Sequence, residues 1–283
     1  MNSFKDKRIV FFGTPDFTVE FLELFKSIGL DISLIVTGED RPFGRGMQLK
    51  SPAPKIWAEE NSIKFLQPKK LDQEFYRQLK NESWDLIIVI AYGKIIPENV
   101  INLPKFGTIN LHYSLLPKYR GASPVESAIL NNEVETGLTI QQMVYKLDAG
   151  DILYQEKLVI DKEDTASILR NKLNEKAIEI FPDFLDSLFG NEIEKNKQED
   201  SMATSCGKFK KEDLDVTKDI SENNFENIWT KYKAYDKKIF FFQNNLRVKI
   251  TEMSSTEISK VLPESKKEIS KLEYETSFGK IFL

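Results

Sequence analysis

Trp84-Asp85-Leu86-Ile87-Ile88-Val89-Ile90 is apolar on both faces of the strand it predicts, the pattern of a buried strand in a parallel sheet covered on two sides. Upstream, Arg8–Phe12 (RIVFF) is a similar run that ends in Gly13-Thr14-Pro15 and leads into a helical pattern from about Phe17 to Ser27. Asp31–Thr37 and Lys64–Leu66 predict further strands, separated by a loop rich in Gly, Pro and Arg and a helix from about Pro54 to Asn61. Downstream, Thr108–His112 and Leu138–Met143 add two more, and Thr165–Leu188 reads as a long amphipathic helix. This β-loop-α-β rhythm predicts an α/β fold built on a doubly wound, mostly parallel sheet over residues 1–189.

The stretch Gly190–Gly207 (GNEIEKNKQEDSMATSCG) is polar and aperiodic, which predicts a linker over 190–207. Beyond it, Ile239–Phe242 and Leu246–Ile250 flank Gln243-Asn244-Asn245, a hairpin pattern, so 208–283 is expected to form a small, mainly β domain. One cysteine, Cys206, excludes an intrachain disulfide and a Cys/His metal motif. No apolar run approaches the roughly 20 residues of a membrane helix, and the N-terminus lacks a signal-peptide pattern, so a cytoplasmic protein with no membrane partner is expected. Net charge is −4, so any nucleic-acid contact must rest on local basic surface.

The one histidine in the chain, His112, closes the strand Thr-Ile-Asn-Leu-His. Alternation puts Thr108, Asn110 and His112 on one face, with Asn110 and His112 about 7 Å apart at Cα. They lie at the carboxyl end of a sheet strand, where open α/β sheets bind ligands. A lone histidine also serves as a structural residue, and both readings stand at this point. Leu147-Asp148-Ala149-Gly150-Asp151 follows the strand ending near Met143. An Asp beside Gly is ordinary turn chemistry. On a parallel strand, however, this loop shares the rim of His112, and a carboxylate there would hold the imidazole. Rival chemistries lack parts, since no GxGxxG, GxxxxGK[ST] or GxSxG occurs and Cys206 lies in the expected linker.

Five segments occur in order: Gly13-Thr14-Pro15-Asp16-Phe17, Asp40-Arg41-Pro42-Phe43-Gly44-Arg45-Gly46, Ala91-Tyr92-Gly93-Lys94-Ile95-Ile96-Pro97, Asn110–Ala122 with its Asn-Leu-His and SLLPKYRG, and Leu147–Asp151. Over residues 7–190 the chain resembles the methionyl-tRNA formyltransferases, a branch of the folate-dependent formyltransferase family. The Asn-x-His, SLLPxxRG and DxGD pattern is common to the wider family, sugar-nucleotide N-formyltransferases included. The GTPDF start, the DRPxGRG loop and the AYG segment favour the tRNA branch. The resemblance implies formyl transfer from 10-formyltetrahydrofolate to the amino group of methionyl-tRNA, without a metal, by a monomer. It implies Asn110, His112 and Asp148 as the catalytic trio. Folate is expected against Tyr92, Gly93, Ile95, Ile96, Leu115, Pro117, Asp148 and Gly150. Arg41 and Arg45 are expected on the tRNA, with Lys50 and Lys55 extending the positive charge. It also implies an OB-like β barrel at the C-terminal end. Here Lys233–Lys238 replaces the family's Pro-Trp-Pro segment and the chain stops at Leu283, so a shortened barrel is expected.

Overall fold

The computed structural model describes every residue except 1–3, 5, 44–46 and 282–283. The first half of the chain lays down β1 (Ile9–Gly13), β2 (Ile32–Val36), the small pair β3 (Arg41–Phe43) and β4 (Gln48–Lys50), then β5 (Phe65–Leu66), β6 (Leu86–Ile90) and β7 (Thr108–His112). After β8 (Arg120–Gly121) come β9 (Glu135–Gln142) and β10 (Ile152–Val159). The main sheet runs β10-β9-β7-β6-β1-β2-β5. Pairings among β5, β2, β1, β6 and β7 are all parallel. Every residue of β1 and β6 is buried, as their unbroken apolar runs require of central strands covered on two faces. Val10, Phe12, Leu34, Val36, Ile87 and Val89 join Phe75, Leu79 and Trp84 in one apolar cluster.

Two of these elements escape the sequence pattern. The helix Gln73–Lys80 is started by Asp72, whose carboxylate accepts from the amides of Glu74 and Phe75, and it buries Phe75 and Leu79 one turn apart. The loop expected after Thr37 contains the antiparallel pair β3–β4 instead, Arg41 opposite Lys50.

β9 corrects the reading of the sheet. It pairs antiparallel with β7, Asn110 opposite Gln141 and His112 opposite Thr139, rather than continuing the parallel set. Alternation specifies a strand and its buried face but not its direction. Because β9 runs against β7, its end at Gln142 lies opposite Ile109, and the chain must turn back before Asp148 can reach His112.

The chain packs as two compact units. One comprises Met1–Arg120, Gly137–Lys157 and Leu173–Ser205, and the other Gly121–Thr136, Leu158–Lys172 and Cys206–Leu283. The last change of unit, after Ser205, lies within 190–207, and the chain also crosses between units after residues 120, 136, 157 and 172. Two earlier segments belong with the C-terminal part, and Leu130 packs against its core. β11 (Ser205–Cys206) pairs with β8. In the second unit, β12 (Phe240–Gln243), β13 (Leu246–Met253), β14 (Ile258–Pro263) and β15 (Ile269–Ser270) form an antiparallel sheet. The expected hairpin joins β12 to β13, with Asn244 and Asn245 at φ 50° and 61°, the left-handed pair of a type I′ turn. Helices Thr217–Ser221, Phe225–Ala234 and Lys271–Phe278 accompany the sheet. Ile228 and Tyr232, one turn apart, meet Phe241, Val248, Ile250 and Tyr274 in its core.

Candidate active site

β7 carries the centre of the site. Its neighbour β6 ends at Ile90, opposite Leu111, so the chain leaves β6 beside Asn110 and His112. The Nε2 of His112 lies 2.9 Å from the carbonyl oxygen of Tyr119. A carbonyl only accepts, so Nε2 carries a proton and Nδ1 is the nitrogen left for chemistry. Nδ1 faces Oδ2 of Asp148 at 3.7 Å, longer than a hydrogen bond but within reach of an ion pair. The two side chains are 7% and 10% exposed, so an imidazolium formed there meets the carboxylate with little screening by water. Asn110 is half-buried, and its side-chain amide has no hydrogen-bond partner among the described residues.

Asp148 reaches His112 through a tightly specified loop. It adopts a left-handed backbone, φ 46°, which Asp tolerates better than most residues. Gln141 on β9 donates from Nε2 to Oδ1 of Asp148 at 2.9 Å, and its Oε1 accepts from the amide of Gly150 at 3.3 Å. A Cβ on Gly150 would stand 1.6 Å from the Gln142 carbonyl oxygen, so only glycine lets the loop fold back this closely. Gln198 donates to the carbonyls of Asp148 and Gly150 at 2.9 and 2.7 Å. The Oε1 of the same amide accepts from Nε and Nη2 of Arg120 at 3.0 and 2.8 Å.

The carbonyl that holds His112 is itself fixed. Tyr119 sits at φ 57°, and its amide donates to Thr204 Oγ1 at 2.8 Å, while the amide of Thr204 donates to the Pro117 carbonyl at 3.2 Å. Asp200 pairs with Arg120 and Lys146 at 2.8 and 2.7 Å, and these cations, Lys146 foremost, hold its carboxyl below the usual range. Asn196 exchanges backbone hydrogen bonds with Ile152 at 2.8 and 2.9 Å. The segment expected as a linker is therefore a strap bound to the site. Gln141, Gln198, Arg120 and Asp200 contribute without having been expected as site residues; the visible signals are the Arg of the SLLPKYRG segment and a Gln-Gln pair ending an apolar strand.

The folate-side expectations fall near the same strand ends. Tyr92 is buried edge-on to Phe12, with its hydroxyl unpartnered among the described residues, and burial pushes its phenol well above the ordinary tyrosine range. Gly93, at φ 81°, has nothing within 4 Å of its Cβ direction, Ile95 is 79% exposed and Ile96 is buried. Leu115 and Pro117 are half-buried and Gly150 is buried. Arg41 is exposed on β3, and Arg45 lies outside the described residues. Lys55 does not extend the positive surface as expected, because its ammonium is committed to Asp40 at 2.7 Å, and Lys50 stands 3.3 Å from Asp16. Lys55, followed by the Gln67 amide, holds the Asp40 carboxyl below its usual range. Among the described residues there is no cluster of three or more His, Cys, Asp or Glu suited to a metal, and no helix long and apolar enough to cross a membrane.

A family model described as formyl transferase matches residues 7–185. The methionyl-tRNA formyltransferase of Thermotoga sp. (strain RQ2) is 41% identical over 232 residues, 82% of this chain and 73% of the relative. That of Staphylococcus epidermidis is 39% identical over 222 residues, 78% and 71% of the two chains. A sugar 3N-formyl transferase solved with dTDP and 5-N-formyl-THF shares the fold at a TM-score of 0.64 and 23% identity, covering 87% of this chain and 85% of its own.

Proposed function

The chain belongs to the formyl transferase family, among the methionyl-tRNA formyltransferases, and we propose that it moves a formyl group from 10-formyltetrahydrofolate to the amino group of methionyl-tRNA. The observation that carries the mechanism is the orientation of His112, whose Nε2 is tied to the Tyr119 carbonyl while Nδ1 faces Asp148.

The folate supplies the formyl carbon and takes a proton on N10 as it departs. The unpartnered Asn110 amide and the open space before Gly93 fit such a donor, with Tyr92, Gly93, Ile95, Ile96, Leu115, Pro117 and Gly150 holding it. When the neutral amine of methionyl-tRNA attacks the formyl carbon, charge develops on the formyl oxygen. Asn110 donates an amide hydrogen to that oxygen, and His112, neutral until it takes the attacking amine's proton on Nδ1, then donates from Nδ1 as the imidazolium. The proton lost by the amine passes through this imidazole to the departing nitrogen, so the enzyme ends as it began. Asp148 steadies the imidazolium between these transfers. We further propose a monomer working in the cytoplasm, where aminoacylated tRNA is found.

The alternative, a sugar-nucleotide N-formyltransferase, uses the same trio. Side-by-side assays on methionyl-tRNA and an amino-sugar nucleotide decide between them, and faster turnover of the sugar would overturn the tRNA reading. The same assays test the loop at Arg41 and Arg45. With tRNA as substrate, KM should rise steeply with salt as phosphate contacts release counterions. Arg45→Ala should cost about 1–3 kcal/mol in kcat/KM and flatten that slope, because an arginine fork donates to phosphate in pairs. A flat salt response with a fully active Arg45→Ala enzyme would remove tRNA from the assignment.

A further inference from the structure

We propose that Gln141 is a positioning residue of this reaction, which fixes the Asp148 carboxylate so that Oδ2 is presented to His112 Nδ1; the inference rests on the formyl-transfer reading of the site. Gln141 is 1% exposed and sits opposite Asn110 in the β7–β9 register, so its side chain rises from the same face of the sheet as Asn110 and His112. Both ends of its amide are used. Nε2 donates to Asp148 Oδ1 at 2.9 Å, and Oε1 accepts from Gly150 at 3.3 Å. This fixes the amide orientation, since a reversed amide would set its oxygen against the carboxylate and its NH₂ against the Gly150 amide.

The chemistry favours a neutral holder. A lysine or arginine in this place would satisfy Oδ1 but also neutralise the charge that the imidazolium needs. A glutamine takes up one carboxylate oxygen and leaves the negative charge for His112. Gln198 grips only backbone carbonyls of this loop, which sets where Asp148 sits but not how its carboxylate is turned. The next residue, Gln142, points to the other face, donating to the Thr108 carbonyl at 3.2 Å, so adjacent glutamines on one strand have different roles.

The test uses the full-length chain with Gln141→Met, which keeps length and volume but cannot donate. We expect kcat to fall about tenfold or more, while KM for the folate donor and for methionyl-tRNA stays within about twofold. In an Asp148→Asn background the same change should cost less than about twofold, because its only route to the chemistry is gone. His112 is the one histidine in the chain, so its two ring-nitrogen resonances are seen unmixed. The Nδ1 resonance should move in Gln141→Met and the Nε2 resonance, tied to Tyr119, should not. Gln141→Glu keeps shape and the acceptor for Gly150 but opposes two carboxylates, so its loss should exceed that of Gln141→Met even if the methionine variant folds poorly. An unchanged kcat, equal losses in both backgrounds, or a milder Gln141→Glu would overturn the inference. A fully active Asp148→Asn enzyme would instead overturn the site reading beneath it.

Discussion

Replacing His112 with alanine is expected to lower kcat for formyl transfer by about a hundredfold or more, the size usual for a proton-transferring group. The change removes the carrier between amine and departing nitrogen and one of two donors to the formyl oxygen. It also takes from the Asp148 carboxylate the imidazole it faces, in a setting where that side chain is 10% exposed. Asn110→Ala and Asp148→Ala should each fall in the same range, and the triple variant should lose little more than His112→Ala, since the three act as one unit. Single-turnover rates on methionyl-tRNA separate this chemistry from product release. A His112→Ala enzyme that keeps most of its single-turnover rate would rule out proton transfer through the imidazole.

Exchanging residues 196–204 for a Gly/Ser run of equal length should have an effect at least as large, although no residue in that segment belongs to the trio. The exchange removes the two bonds from Gln198 to the Asp148 and Gly150 carbonyls and its two from Arg120. It also removes the Asp200 ion pairs and, with glycine at position 204, the Oγ1 that accepts from the Tyr119 amide. His112 would lose its rigid carbonyl partner and Asp148 its place at once, and misplacement of catalytic groups by about 1 Å costs about a hundredfold. A melting curve alongside the assay separates loss of placement from loss of the fold. Wild-type turnover from the exchanged enzyme would show that the segment is the passive linker its composition suggests.

What was legible in the sequence is what leaves a period behind. Thr108–His112 alternates between buried apolar and polar positions and forms β7 over those residues, and Leu86–Ile90 forms the central strand that its unbroken apolar run demands. Asn110 and His112 are legible as a polar pair on one face at a strand end, and Asp148 through the Leu147–Asp151 segment of the family resemblance. The direction of β9 was not legible, because a strand reads the same whichever way it pairs. The strap was invisible for a related reason. Gln198 acts on a loop 48 to 50 positions away by side-chain bonds to backbone oxygens, so it needs no apolar spacing and looks like any solvated glutamine. The same holds for Gln141, whose partner is seven residues on and whose worth depends on a fold-back permitted by Gly150.

The interleaving of the two compact units bears on how the protein is made. The chain changes unit after residues 120, 136, 157, 172 and 205, so neither unit is a continuous stretch that a ribosome can deliver whole. The unit that holds β7 lacks its strap until Ser205 has left the exit tunnel, and the other unit waits for residues 206–283. At about 5–20 residues per second, β1, β2 and β6 are exposed for several seconds before the segments that complete their unit arrive. These apolar strands therefore spend longer at risk of wrong pairing than they would in a protein whose domains follow one another along the chain. Newly synthesised chains should accordingly engage holding chaperones before residue 205 emerges, and release them after the strap has closed over the His112 loop.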